Sequence, residues 1–262
     1  MPFTNLEEPT SDPAFILDAL ENMFTVKDIR IDIDEFARFC NDLNYPSEYR
    51  MLFGGFLKEK LLEHYVSTML LDFSKGDKFI DIAASHSHYS TYVHGMSIES
   101  YKQDLIYPDG ISVSEDSTVP LVGGNAAGLP FRDSYFTKMT LHCSLEHFEG
   151  DDDVNFMHEA ARVLQPQGKI CIVPLYFGES YHLVTDPRIY AEEKESIRFE
   201  EGILIFVKTG YGNRHCRVYS VEEFKRRVAD PKIWNVEIFH ITNLGELGSG
   251  LYCQYAALIT KK

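Results

Sequence analysis

Five places in this sequence carry residue types that could together hold a nucleotide: Asp81, the small-residue turn at 83–87, Asp104, Asn125, and the run from His142 to His147. Residues 78–90 read KFIDIAASHSHYS, an apolar run ending in an acid, then a string of small residues, then the start of a helix. Strand, tight turn and helix is how an open α/β sheet builds a nucleotide pocket at the carboxyl end of its first strand. An acid closing the next strand, Asp104, suits the two hydroxyls of a ribose, because a carboxylate can accept a hydrogen bond from each. Each feature alone reads equally well as a helix cap or a loop residue. In order, and all at strand ends, they describe one ligand-binding edge.

The elements that must position these residues follow from the pattern. From residue 78 strands alternate with helices, the signature of a parallel sheet. Strands are expected at 78–84, 96–103, 119–122, 136–143 and 169–175, the last apolar on both faces and therefore central. The stretch 107–118 reads as a loop or weak helix. Asp151, Asp152 and Asp153 open a helix whose apolar face is Val154, Met157, Ala161 and Leu164, stopped by Pro166 and Gly168. Residues 203–207 and 214–219 flank TGYGN and read as a β-hairpin inside an insertion at about 176–218. Ser220 caps a helix to 229, and strands at 234–242 and 251–260 form an antiparallel pair closing one edge of the sheet. Upstream, helices are expected over 15–24, from Asp32 through Phe36, Phe39 and Leu43, and along Leu57, Leu61, Tyr65, Met69 and Leu70. They either cover the sheet edge or lie over the pocket. The division is thus a helical extension at 1–55 and an α/β domain at 56–262.

Composition narrows the partners. A formal net charge of −15 argues against a broad phosphate-binding surface and hence against nucleic acid. Lys225, Arg226 and Arg227 are read as a solvated helix face. The cysteines Cys40, Cys143, Cys171, Cys216 and Cys253 are scattered, odd in number and without a CxxC pair, as in a reducing compartment. No apolar run approaches a membrane span, and the start MPFTNLEEPTSDP lacks a signal core, so a cytoplasmic protein is expected. His86, His88 and His94 diverge on a strand-turn-helix path, so no metal site is expected.

The same residues carry a resemblance. DIAASHS resembles the first motif of class I S-adenosylmethionine-dependent methyltransferases of the type 11 kind. GNAAGLPFRDSYFTKMTLHCSLEHF is similar to their third-to-fourth-strand region, and FMHEAARVLQPQGKICIVPL to the helix and fifth strand that follow. The resemblance implies a Rossmann-like methyltransferase fold: an α/β, mostly parallel twisted sheet with helices on both faces and an antiparallel last strand. It implies S-adenosyl-L-methionine as cofactor, with Asp104 on the ribose, Asn125 and Ala126 at the adenine, and Asp81, Ala83, Ser85 and Ser87 bordering the methionine part. Backbone near Leu141 and His142 would close the pocket. The family's glycines correspond here to Ala83, Ser85 and Ser87. Glycine permits positive φ and close approach, so either the loop shifts outward or the site has lost its cofactor.

Methyl transfer to an oxygen or nitrogen of a small-molecule or sugar-like acceptor is the function this implies. A hydroxyl acceptor can need a general base, and His147, then Glu146 and His182, are the candidates, although Leu-Glu-His can equally brace the loop. Tyr176, Tyr181, His182 and Asp186 either line an acceptor site or pack the hairpin. The alternative is a non-catalytic relative using the sheet as a binding or assembly platform. A dinucleotide-dependent redox enzyme fits the spacing less well. Oligomeric state is open.

Overall fold

The computed structural model describes residues 11–114 and 117–262, so the polar stretch with Pro2 and Pro9 lies outside the described residues. In chain order the elements are α1 (Pro13–Met23), β1 (Thr25–Ile29), α2 (Ile33–Asp42), α3 (Ser47–Phe53), a 3-10 turn at Gly54–Phe56, α4 (Leu57–Leu71), β2 (Lys78–Ile82) and α5 (Tyr89–Gly95). There follow β3 (Glu99–Ser112), β4 (Leu121–Gly123), β5 (Phe136–His142), α6 (Asp152–Val163) and β6 (Leu164–Val173). The chain ends with β7 (His182–Thr185), α7 (Pro187–Glu193), β8 (Leu204–Val207), β9 (Cys216–Val218), α8 (Val221–Arg227), β10 (Trp234–Ile241), α9 (Leu244–Leu247) and β11 (Tyr255–Lys261).

Eight strands form one sheet in the order β1-β10-β11-β6-β5-β2-β3-β4. The β5-β2-β3 and β5-β6 pairs are parallel, whereas β11 runs antiparallel to both β6 and β10. β6 shows why the sheet is two-faced. Ile170 and Ile172 point into a core shared with α1, α6 and α8, whereas Cys171 and Val173 point into a second core with α2 and α4. A third cluster, Phe79, Tyr89, Val93 and Ile98, seats α5 against β2. Among the described residues no helix is long and apolar enough to cross a membrane.

Five expectations need correction. The stretch 107–118 does not begin as a loop or weak helix, because β3 runs on through it to Ser112 and pairs there with β4. The last strand pair does not close the edge, because β1 pairs parallel with β10 outside it. The extension therefore donates a strand as well as helices; TVKDI is short and mostly exposed, so its pattern is faint. The buried face of α6 is Asp153, Phe156, Met157, Ala160 and Val163, rotated by one residue from the expected stripe. The insertion is no hairpin: β8 and β9 both pair with β7, parallel and antiparallel, and never with each other. The all-buried β7 takes the centre of that small sheet, which the apolar demand of HLVT explains. Finally, Arg227 is not solvated; it is buried, and its guanidinium donates to Asp153 from Nε at 2.8 Å and Nη2 at 2.5 Å.

That last pair fastens the insertion to the main sheet. Asp153 also meets Arg217, which is fully buried in β9, at 3.3 Å, and accepts from the Tyr219 hydroxyl at 2.7 Å. Burial works against the Asp153 charge, but the Arg227 and Arg217 guanidiniums hold its carboxyl below the usual range. Arg217 reaches on to the Gly150 carbonyl at 2.7 Å and the Tyr181 hydroxyl at 2.9 Å.

Candidate functional site

The site begins where β2 ends. Ala83 and Ser85 sit at φ 51° and 42°, the left-handed region that glycine occupies readily. The turn thus keeps a glycine-like backbone without glycine, at roughly 1–2 kcal/mol for each such residue. Hydrogen bonds hold it there. The Ala83 N–H donates to Gln103 Oε1 at 3.0 Å, the Ala84 N–H to the Gln103 carbonyl at 2.9 Å, and the Ser85 N–H to Asp104 Oδ2 at 2.7 Å. The Ser87 N–H closes the turn on the Ala84 carbonyl at 2.7 Å, and Ser87 Oγ accepts from the Tyr89 N–H at 3.1 Å.

Asp81, fully buried in β2, sits beneath this turn. Its Oδ1 accepts from Thr140 Oγ1 at 2.7 Å and from His142 Nδ1 at 3.2 Å. Since a carboxylate only accepts, Nδ1 carries a proton, and Nε2 on the other side of the ring lies 2.8 Å from Ser67 Oγ. Asp81 Oδ2 is buried with no donor among the described residues. An orphaned carboxylate oxygen is costly unless something donates to it.

A cavity of about 360 Å³ opens at this point. Asp81, the 83–87 turn and His142 form one wall; Tyr49, Leu52, Phe53, Lys60, His64 and Cys143 form the other. The sequence pattern therefore brought Asp81, Ala83, Ser85, Ser87 and His142 to one cavity. It missed the α4 contribution. Lys60, His64 and Ser67 lie at helical spacing on one side of α4, a polar stripe within a helix buried on most faces, and that stripe was the available signal. His64 stacks on Tyr89 at 4.8 Å, and its Nδ1 meets the Tyr45 hydroxyl at 2.9 Å. Burial holds the His64 ring well below its ordinary pKa, so it is neutral.

Asp104, Asn125 and Ala126 are arranged differently, and none of them lines that cavity. Asp104 Oδ2 is taken by the Ser85 N–H and Oδ1 by the Ile106 N–H at 3.1 Å. Gln103, buried and unnoticed in the sequence, crosses from the Ala83 N–H to the Gly124 carbonyl, to which its Nε2 donates at 2.6 Å. The Tyr107 hydroxyl donates to the Ser85 carbonyl. The chain at 107–108 presses so closely on β4 that a Cβ on Gly123 would lie 2.0 Å from the Pro108 carbonyl oxygen. Asn125 is exposed, with Oδ1 accepting from the Ala127 N–H at 2.8 Å and Nδ2 reaching Asp152 at 3.3 Å. Ala126 is buried in the core.

The structure does not bring the proton-transfer candidates to the cavity. His147 Nδ1 donates to the His215 carbonyl at 2.6 Å, and His215 Nδ1 returns a bond to the Glu146 carbonyl at 3.2 Å, which ties the turn after β5 to β9. Glu146 is buried, 3.6 Å from His147 Nε2. His182 lies in β7 with Nδ1 on the Ser180 carbonyl at 2.8 Å and its ring against Phe206. Of the insertion group, Tyr181 packs on Tyr219, Asp186 caps α7, and Tyr176 meets Cys143 Sγ at 3.3 Å. Cys143, at φ 50°, neighbours Glu63 and Lys60 of α4. Burial pushes the Glu63 carboxyl up to about 8 against the pull of Lys60, 3.0 Å away, and the Glu59 carboxyl up to about 7.

Residues 77–172 match the sequence profile of a family described as a methyltransferase domain. No curated protein matches the chain. Among solved structures it is similar to the Burkholderia thailandensis 1,6-didemethyltoxoflavin-N1-methyltransferase with bound 1,6-didemethyltoxoflavin and S-adenosylhomocysteine. The identity is 12% and the TM-score 0.54, over 98% of this chain and 93% of that one. It also matches the Streptomyces coelicolor geranyl diphosphate C-methyltransferase at 12% identity and a TM-score of 0.49, over 84% and 83% of the two chains. The first likeness establishes the Rossmann-like methyltransferase fold.

Proposed function

We propose, for a chain whose residues 77–172 match the methyltransferase-domain family, that it transfers a methyl group from S-adenosylmethionine to an oxygen or nitrogen of a small-molecule acceptor. The observation that carries this reading is Asp81 Oδ2, a buried carboxylate oxygen with no donor among the described residues, beside a cavity walled by a left-handed turn. That oxygen suits an ammonium group, as on the methionine part of the cofactor. In this reading Asp81, the 83–87 turn and His142 hold the methionine end. Asp104 meets the ribose, since each of its oxygens keeps a lone pair beyond the one it uses, and Asn125 and Ala126 border the adenine.

When bound, S-adenosylmethionine supplies an activated sulfonium methyl, so the protein's part is alignment and exclusion of water. Tyr49, Leu52 and Phe53 give the acceptor an apolar surface, and Lys60 a charge. His64 also faces the cavity, but the burial that keeps it neutral disfavours its taking up a proton, so it serves as a positioning group through the Tyr45 hydroxyl. His147 and Glu146 serve as braces of the turn after β5.

One observation favours a second reading, a binding protein without transfer: the polar groups at the ribose end already bond to one another. Calorimetry with S-adenosylmethionine and S-adenosylhomocysteine separates the two. Micromolar binding that weakens in Asp104→Ala supports the cofactor site, and release of S-adenosylhomocysteine with an amine or alcohol acceptor supports transfer. A folded chain that binds neither ligand refutes transfer and supports the second reading, in which the site has lost its cofactor.

A further inference from the structure

Parallel strands ordinarily need a crossover, usually a helix, to cover the sheet between them. β3 and β4 are parallel over Lys102 to Asp104, yet among the described residues no helix joins them. Instead β3 runs on past Asp104, and its residues 109–112 pair again with β4. Beside α5, on the sheet face that carries Lys102, this leaves a cleft of about 740 Å³, bounded also by the segment between α2 and α3. That is the size of a small-molecule site. The 85–87 turn is a wall of both this cleft and the smaller cavity, so the two are neighbours and not one space.

The chemistry of the cleft departs from that of the chain. Acids outnumber Lys and Arg by 40 to 25 overall, yet no described residue lining the cleft carries a carboxylate. Lys102 stands in it half-buried, flanked by His86 and His88, with the hydroxyls of Ser87 and Thr91 nearby. Lys27, Lys60, Lys78 and Lys138 each have a carboxylate within 4.0 Å, whereas among the described residues Lys102 has none and its ammonium lies 5.8 Å from the centre of the Tyr107 ring. Burial lowers the Lys102 pKa, with Asp81 and Asp104 opposing through space, and burial together with Lys102 lowers that of His88. A partly buried ammonium whose nearest carboxylates act only through space is stabilised by an anion that enters and touches it.

We propose that this cleft binds a small oxyanion-bearing molecule, phosphorylated or carboxylated, with Lys102 as its charge partner and His86, His88, Ser87 and Thr91 as hydrogen-bond donors. The site shares the 85–87 turn with the smaller cavity and is otherwise built from different residues. Pyrophosphate and citrate, titrated calorimetrically into the full chain at constant ionic strength, test it and tell the two anion sources apart. One of them is expected to bind with a Kd below about 1 mM. Lys102→Met should weaken that binding at least about tenfold, Lys102→Arg should hold it within about threefold, and Lys60→Met in the other cavity should leave it unchanged. If Lys102→Met does not fold, His88→Phe with Thr91→Val should weaken binding about fivefold or more. Absence of binding by both probes, or equal binding by wild type and the cleft variants, overturns the proposal.

Discussion

The two ends of the expected cofactor site lie on one sheet edge but are built to opposite rules. At the Asp81 end a buried carboxylate oxygen waits for a donor at the wall of a cavity. At the Asp104 end Gln103, Asp104 and Tyr107 spend their polar groups on the 83–85 turn and the Gly124 loop. A ligand group entering the first end gains a charge-assisted bond that the free protein lacks. One entering the second meets groups already bonded to one another, where a further or exchanged hydrogen bond nets less. The methionine end should therefore carry most of the affinity, and the adenosine end should tune it.

Asp81→Asn is the strongest way to break this contrast. It should weaken S-adenosylhomocysteine binding by about 2–3 kcal/mol, roughly 30- to 150-fold, as read by calorimetry. A pH titration of stability probes the same end. Glu59 and Glu63 line α4 behind the cavity, and burial raises both, to about 7 and about 8. Between the ordinary glutamate range and those values the folded chain holds protons that the unfolded chain has released. Stability is thus fully present below that range and falls as pH rises toward 8, by up to roughly 1.4 kcal/mol per pH unit for each group. Glu63→Gln should flatten the fall, checked by denaturant melts at pH 5, 6.5 and 8 (about the limits of the window).

At the other end the sign reverses. Tyr107→Phe frees the Ser85 carbonyl and should tighten S-adenosylhomocysteine binding by about 1 kcal/mol, near fivefold. Ser85→Gly removes a side chain from φ 42° and should raise the unfolding free energy by up to about 1 kcal/mol, net of glycine's entropy, seen as a higher urea midpoint.

Sequence reasoning named residues at both ends but missed the bonds that Gln103 and Tyr107 make at the second, for a physical reason. Asp81, the 83–87 turn and His142 are fixed by local pattern: strand ends, small residues, the change from period two to helix. Ser220 was equally local, and its side chain caps α8 on the Glu223 N–H. The Gln103 bridge and the Tyr107 contact join loops about 20 residues apart, and nothing local in a Gln or a Tyr announces such a partner. β1 was missed because an edge strand of five mostly exposed residues has no apolar alternation to read. Arg227 was misjudged because its partner, Asp153, lies 74 residues away.

The most direct test of the contrast is a crystal structure of the chain with S-adenosylhomocysteine. The account predicts the ligand's ammonium group about 3 Å from Asp81 Oδ2, with the Tyr107 hydroxyl displaced from the Ser85 carbonyl. Ligand bound with Asp81 Oδ2 still unpaired and Tyr107 still on Ser85 would contradict it.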